Sequence, residues 1–391
     1  MNRIKPLVSR EPPKVHVCVL VLIRNWAAGA GGYLASWVVK LLLSKGYIVH
    51  GTVRDPADEK NAHLKKVDNS SENLQLFKAS LLDYNSLRAA IAGCSGVLHV
   101  ASPCPPAGVP NPEASTLNVL KACSEARVKR AVVVSSGGAV LFNPHWPKDK
   151  VMDEQCWSDE EYCRTTGNWY CLSKTLAEKA ALQYGERSGL CVVTVCPRWV
   201  LGPLLQSTVN ASSLFLLKIL RGEEETLENR SVGIVDVRDV AEALIIAYEK
   251  PEATGRYICG PHVIQMHDFV DKLRNLFPHY NYPKTFTETN NQLVLSSEKL
   301  KSIGWKYRPL EETLADTVKC FQEAGLLNNF IFVHQMDTLA GPNLKSLLKA
   351  LHTLASLYTL TIGNCPSTTT LGEEGLASSL KFDESKGKLT K

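Results

Sequence analysis

The sequence predicts an α/β fold, a doubly wound parallel sheet followed by a smaller C-terminal lobe. Short runs rich in valine and isoleucine alternate with longer amphipathic segments through the first half of the chain. A glycine-rich turn follows the first of these runs. The chain has 391 residues, of which 45% are hydrophobic and 21% charged, so it can bury a large domain with a smaller appendage.

The predicted strands and helices alternate up to residue 203. The strand segments are 15–23, 47–53, 74–79, 96–101, 131–136 and 190–195, and the helical segments between them include 33–46, 87–92 and 116–126. Consecutive βα units with right-handed crossovers place their strands in one parallel sheet. A ligand is then expected at the carboxyl ends of the strands.

Beyond residue 203 the pattern becomes mixed. Helices are predicted at 214–220, 239–248 and 267–276, and strands at 232–237 and 255–259. We therefore expect a mobile N-terminus over 1–14, a dinucleotide-binding domain over 15–203 and a mixed α/β substrate lobe over 204–327. Residues 328–391 form an atypical extension, with a possible amphipathic helix at 344–357 and a polar end that we expect to be disordered.

The glycine-rich turn is G-A-G-G-Y-L-A, residues 29–35. Its spacing fits the G-x-x-G-x-x-A pattern, which allows a tight turn and close approach of the backbone to a pyrophosphate at a helix N-terminus. Gly29, Gly31, Gly32 and Tyr33 are therefore candidate cofactor contacts.

A cation follows the second predicted strand directly. Arg54 stands where dinucleotide-binding folds recognise the ribose 2′ position, and an arginine there favours a 2′-phosphate over a 2′-hydroxyl. Lys60 could add a second cation, although it could equally be a solvated loop lysine. The predicted cofactor is NADP(H).

The segment N-W-Y-C-L-S-K, residues 168–174, predicts the catalytic group. Tyr170 and Lys174 are four residues apart and share one face of a helix. A phenol with a pKa near ~10 is a reluctant acid at neutral pH, and a neighbouring cation stabilises the phenolate. Ser136, at the end of the strand segment 131–136, would donate a hydrogen bond to a carbonyl oxygen.

The composition argues against several classes of partner. The net charge of +5 arises from 44 basic and 39 acidic residues without a dense basic block, which disfavours nucleic acid. No stretch reaches the ~18 apolar residues of a membrane span. The 12 cysteines contain no C-x-x-C pair, which indicates a reducing compartment, and we expect a cytoplasmic protein with no metal site.

The motifs, taken in order, resemble the extended short-chain dehydrogenase/reductase superfamily, in particular its cinnamoyl-CoA reductase and dihydroflavonol reductase branch. The segments that carry the resemblance include G-A-G-G-Y-L-A-S-W, G-T-V-R-D-P, H-V-A-S-P, N-W-Y-C-L-S-K-T-L-A-E, L-G-P-L-L-Q and G-W-K-Y-R-P-L-E-E-T. The resemblance implies a Rossmann fold and hydride transfer from NADPH to an aldehyde, ketone or acyl thioester.

The resemblance also implies a role for individual residues. Tyr170 would be the acid, Lys174 the residue that holds the ribose and lowers the phenol pKa, and Ser136 the residue that orients the carbonyl. Further contacts to the cofactor would come from Leu81, Ala101, Pro197 and Val200.

Four features depart from the family pattern. Residues 20–27 look inserted before the glycine turn, and Ser80 replaces an aspartate that contacts the adenine. About eight residues that normally begin a helix are absent between Pro112 and Thr116, and residues 328–391 have no counterpart in the family.

The substrate prediction depends on one helix. Thioester-reducing members carry a histidine three residues before a lysine, whereas here Phe215 precedes Lys218. We take both as substrate residues, although Phe215 could equally be core, and favour small free aldehydes or ketones over cinnamoyl-CoA thioesters. The alternatives are an acyl-CoA thioester reductase, a nucleotide-sugar epimerase or dehydratase, and a catalytically impaired NADP-binding paralogue.

Overall fold

The computed structural model describes residues 15–20, 30–100, 112–147, 150–289 and 293–327, together with three short strands between 359 and 390. The expectations for 1–14, for Gly29 and Ala101, for residues 21–27 and for most of the extension lie outside these residues.

The strands are β1 His16–Leu20, β2 Ile48–Val53, β3 Leu74–Lys78, β4 Gly96–His99, β5 Arg130–Val134, β6 Cys191–Pro197, β7 Trp199–Leu201, β8 Thr226–Asn229, β9 Ser231–Asp236, β10 Gly255–Cys259, β11 His262–Gln265, β12 Thr285–Glu288, β13 Thr359–Thr361, β14 Lys381–Asp383 and β15 Lys388–Thr390. The helices are α1 Tyr33–Ser44, α2 Ala62–Lys65, α3 Ser70–Asn73, α4 Tyr84–Ile91, α5 Pro112–Glu125, α6 Glu160–Thr165, α7 Trp169–Ser188, α8 Ala211–Leu220, α9 Val237–Glu249, α10 Met266–Leu276, α11 Glu298–Ser302 and α12 Leu310–Glu323.

The central sheet has seven parallel strands in the order β10-β6-β5-β4-β1-β2-β3. Strand β1 lies between β2 and β4, so the chain winds outward in both directions from this point. This topology confirms the predicted doubly wound fold. A crevice forms where the winding direction changes, beyond the carboxyl ends of the strands, and ligands bind there in such sheets.

The central strands are buried on both faces, which explains their continuous apolar sequences. In β5, for example, Ala131 and Val132 have no exposed surface. The central sheet and its helical layer also include residues beyond 203. Strand β10 pairs with β6, and helix α9 packs against α1.

A second hydrophobic core holds the C-terminal lobe, which is built on α8, α10 and α12 and on the small sheets β11-β9-β7 and β12-β8. Leu216, Phe269 and Phe321 are fully buried within it. Strand β7 follows β6 almost directly, so the lobe begins at the carboxyl edge of the central sheet.

Two elements, β1 and α5, lie next to segments that the sequence predicts to differ from the family pattern. Strand β1 ends at Leu20, and α5 begins at Pro112, so the segment between Pro112 and Thr116 is helical. Strands β13 to β15 pair antiparallel as a small sheet. None of the described helices has the length and apolar content needed to cross a membrane.

Candidate active site

Ser136 lies at the carboxyl end of β5, two residues beyond the last strand residue. It caps a short 3₁₀ turn, Gly137–Ala139, and its Oγ accepts a hydrogen bond of 3.1 Å from the Gly138 N–H. The sequence segment 131–136 therefore extends beyond the strand, which ends at Val134. The capping bond fixes the serine hydroxyl at the edge of the sheet where a ligand is expected.

Helix α7 brings Tyr170 and Lys174 to this serine. The helix begins at Trp169, and the Asn168 side chain caps it by accepting a hydrogen bond from the Cys171 N–H. The Tyr170 Oη donates to the Ser136 Oγ over 3.1 Å. Tyr170 is 44% exposed whereas Lys174 is 6% exposed, and the lysine Nζ lies 6.0 Å from the centre of the tyrosine ring. The three side chains predicted to be catalytic are thus assembled in one place.

Gly138 permits this close approach. A Cβ at this position would lie 3.0 Å from the Cys171 Sγ and 3.3 Å from the Tyr170 Cε1. These distances are shorter than ordinary van der Waals contacts, so a side chain here would push α7 away from the turn that carries Ser136.

A buried carboxylate on α7 connects the helix to the sheet. Glu178 accepts hydrogen bonds of 2.6 Å from the Ser135 and Thr194 hydroxyls, and two of 3.0 Å from Arg256. Glu178 lies four residues after Lys174, on the same side of the helix. The carboxylate therefore links α7 to the end of β5, to β6 and to β10.

Arg256 completes this network from β10. Its Nη1 donates to the Cys156 carbonyl oxygen over 2.7 Å, and its guanidinium lies 3.5 Å from the centre of the Trp157 ring. Arg256 is 5% exposed and Glu178 is 1% exposed. Both charges are multiply hydrogen-bonded, which is the condition under which a buried ion pair can be tolerated.

This pair is not among the site residues predicted from the sequence. A sequence signal did exist, because Arg256 interrupts the apolar strand segment G-R-Y-I-C and Glu178 follows Lys174 at helical spacing. The sequence does not show that these two residues, 78 positions apart, meet each other.

The glycine turn lies at the N-terminus of α1, as predicted. A Cβ on Gly31 would lie 2.6 Å from the Asn61 Oδ1, so a side chain there would displace the Asn61 side chain. Gly32 caps the helix, and its backbone conformation is extended. The Tyr33 hydroxyl donates to the Gly202 carbonyl oxygen over 2.9 Å and thereby ties α1 to the segment after β7. Burial raises the pKa of Tyr33 well above its usual value, so this hydroxyl stays protonated.

Arg54 directly follows β2, and its side chain is exposed. Lys60 is also exposed, and the Asp58 carboxylate accepts a hydrogen bond from its backbone N–H. Neither cationic side chain forms an ion pair with a residue in the described parts of the chain. Both are therefore available to an anion at this edge of the sheet.

The other predicted cofactor residues occupy the same edge of the sheet or the turns that follow it. Leu81 is buried, and its carbonyl oxygen accepts a hydrogen bond from the Asn118 side chain. The nearby Ser80 Oγ accepts from the Leu82 N–H over 3.4 Å. Pro197 ends β6, and Val200 lies in the short strand β7.

A cavity of about 390 Å³ opens beside Ser136 and Tyr170, and we call it the Ser136–Tyr170 cavity. Phe215 lines it, with its ring centre 5.2 Å from that of Trp199. Lys218 is not among the lining residues, and its Nζ lies 3.3 Å from the Glu224 carboxylate.

A larger cavity of about 710 Å³, bordered by Arg274 among others, contains none of the predicted site residues. We therefore assign the chemistry to the smaller cavity.

Comparison with known proteins identifies the family. The sequence profile described as the NAD dependent epimerase/dehydratase family matches residues 27–260. The chain belongs to this family. Members related to this chain include Cinnamoyl-CoA reductase 1 of Petunia hybrida, which is 47% identical over 306 residues, or 76% of this chain and 92% of the relative.

Two solved reductases share the fold. Vestitone reductase from alfalfa (Medicago sativa L.) is 32% identical, with a TM-score of 0.69 over 80% of this chain and 100% of that structure. The yeast methylglyoxal/isovaleraldehyde reductase, solved in complex with NADPH, is 27% identical, with a TM-score of 0.67 over 80% of this chain and 100% of that structure. These likenesses confirm the resemblance and the fold predicted from the motifs.

The exposed arginine after β2 generates a prediction about cofactor choice. We expect Arg54→Ala to weaken NADPH binding by about tenfold or more and to change NADH binding little, because only NADPH carries the 2′-phosphate that a guanidinium binds strongly. Fluorescence titration with each nucleotide measures both affinities. Lys66→Ala, which removes another exposed cation, is the control, and equal losses for NADPH and NADH would contradict the assignment.

Proposed function

We propose that this protein is an NADPH-dependent carbonyl reductase that converts small aldehydes or ketones into alcohols. The observation that carries the proposal is the hydrogen bond between the Tyr170 and Ser136 hydroxyls, at the wall of a cavity and beside the buried Lys174. This arrangement provides an acid, a hydrogen-bond donor for the carbonyl oxygen and a cation near the acid.

The described residues fit the cofactor. Helix α1 begins directly after the glycine turn, so its N-terminal amides would hold a pyrophosphate, and a side chain on Gly31 would displace that of Asn61. Arg54 and Lys60 supply positive charge after β2 for the 2′-phosphate. When bound, NADPH would supply a hydride, which is one proton with two electrons, to the carbonyl carbon.

The protein's own residues then act on the carbonyl oxygen. The Ser136 hydroxyl donates a hydrogen bond to this oxygen and holds it next to the Tyr170 Oη. The Tyr170 hydroxyl gives its proton to the oxygen as the alcohol forms, and solvent later replaces the proton. The positive charge of Lys174 stabilises the phenolate that remains in the interval.

The residues that line the Ser136–Tyr170 cavity favour free carbonyl compounds as substrates. Phe215 and Trp199 form an aromatic wall, and about 390 Å³ is enough for a small molecule. Lys218 is paired with Glu224, away from this wall. Reduction of an acyl thioester is the second candidate, because the chain is 47% identical to a relative named cinnamoyl-CoA reductase.

A cytoplasmic location is part of the proposal. All ten cysteines within the described residues are free thiols, which supports a reducing compartment.

Tyr170→Phe tests the catalytic assignment. We expect it to retain NADPH binding and to lose nearly all turnover, because the change deletes only the hydroxyl that transfers the proton. NADPH oxidation with phenylacetaldehyde measures turnover, and fluorescence titration measures binding. Tyr162→Phe, at another exposed tyrosine, is the matched control. Substantial turnover by Tyr170→Phe would assign the proton to another group.

The choice of substrate is tested by comparing a free aldehyde with a thioester. We expect kcat/KM for phenylacetaldehyde to exceed that for feruloyl-CoA under matched conditions, because the aromatic wall can hold a phenyl group and Lys218 is paired with Glu224. A kcat/KM for feruloyl-CoA well above that of every free aldehyde tested would favour the thioester reductase.

A further inference from the structure

Arg198 lies between β6 and β7, and its side chain helps to line the Ser136–Tyr170 cavity. Three glycines surround it, at positions 137, 233 and 260. A Cβ on these glycines would lie 3.1 Å from the Arg198 Cδ, 2.5 Å from its Nε and 2.3 Å from its Cγ, respectively. Because glycine has no side chain, each of these three positions leaves room for the Arg198 side chain.

The Nη1 atom of Arg198 is enclosed and has no hydrogen-bond partner among the described residues. A buried donor without a partner is unfavourable, and a buried charge without one is more so. Burial, together with the charge of Arg230, lowers the pKa of Arg198 to about 10, so the guanidinium remains charged at neutral pH. An unpaired cation at this place indicates that its partner is a ligand.

The charge of the cavity points to an anion. Arg230 is a second cation on the wall, half exposed, with its Nε 3.8 Å from the Glu228 carboxylate. None of the described lining residues is an aspartate or glutamate. The cavity therefore combines an aromatic wall with two arginines, of which Arg230 is paired with Glu228 and Arg198 has no acidic partner among the described residues.

The position of Arg198 limits the size of the anion-bearing molecule. Its Cδ packs against Gly137, the residue after Ser136, so the guanidinium and the two hydroxyls share one small cavity. A compact compound with a carboxylate at one end and a carbonyl at the other can contact both. An extended coenzyme would place its phosphates far from its reacting carbonyl.

We propose that Arg198 binds the carboxylate of the substrate, so that this reductase selects oxo acids, carbonyl compounds that carry a carboxylate, over neutral carbonyl compounds of the same size. The proposal rests on the proposed function and specifies its substrate class. Guanidinium and carboxylate match in geometry and charge, and this pairing would give Arg198 the counter-charge that it lacks among the described residues.

A matched pair of aldehydes provides the kinetic test. 4-Formylbenzoate and 4-formylbenzamide have nearly the same shape and differ in charge. We expect the wild-type protein to prefer the benzoate by about tenfold or more in kcat/KM, the size expected when a charged hydrogen bond is made or lost. In Arg198→Met, which keeps an unbranched chain without the charge, this ratio should fall to near one. Arg187→Met, at an exposed arginine in the last turn of α7, should keep the wild-type ratio.

Two kinetic outcomes would overturn the proposal. Equal losses for both aldehydes in Arg198→Met, accompanied by weaker NADPH binding, would make Arg198 a cofactor contact. A preference for feruloyl-CoA over both aldehydes that disappears in Arg198→Met would assign the arginine to a phosphate.

A binding measurement separates this proposal from the proposed function. Calorimetry with terephthalate and terephthalamide, which cannot be reduced as aldehydes, should show binding of the dianion by the wild type and its loss in Arg198→Met. Charge-selective binding without turnover of any aldehyde would support the anion site and contradict the reductase. Turnover of aldehydes without charge preference in kinetics or binding would contradict the anion site and leave the reductase intact.

Discussion

The buried ion pair between Glu178 and Arg256 is the interaction on which the geometry of the site depends. The glutamate lies on the helix that carries Tyr170 and Lys174, and it also accepts a hydrogen bond from Ser135, the neighbour of Ser136. One carboxylate thus ties the helix that carries the proposed acid, Tyr170, to the strand end that carries Ser136. Proton transfer depends on distances of a few tenths of an ångström, so such a tie has direct consequences for the rate.

Much of the fold, and the grouping of Ser136, Tyr170 and Lys174 in one place, could be predicted from the sequence because their signals are local. Buried parallel strands give continuous apolar runs, and the glycine turn has a fixed spacing between a strand and a helix. Tyr170 and Lys174 are four residues apart on one helix, so their common face follows from helix geometry alone. Placing Ser136 beside them required only that the carboxyl end of a strand and the N-terminus of the long helix that follows it lie at one edge of the sheet, and the 3.1 Å bond to Tyr170 fits that reasoning.

The remaining features depend on contacts between distant segments. Arg256 reaches Glu178 across 78 positions, and no local pattern connects them. Arg198 lies between Pro197 and Val200, two of the predicted cofactor contacts, and its unpaired Nη1 is visible only once the three glycines around it are placed. The family pattern implies a substrate role for Lys218, but the chain after α8 brings Glu224 to it.

The most direct test of this account is the kinetics of Glu178→Gln, which keeps the side-chain size but leaves the Arg256 charge unbalanced. At a temperature where the variant is folded, kcat for phenylacetaldehyde should fall by about tenfold or more, because Tyr170 and Ser136 lose their common anchor, while NADPH affinity changes less. Thermal stability should also fall, since breaking a buried pair costs about 3–5 kcal/mol. Glu186→Gln, at an exposed position of the same helix, should behave as the wild type. A folded Glu178→Gln protein with the wild-type kcat would contradict the account.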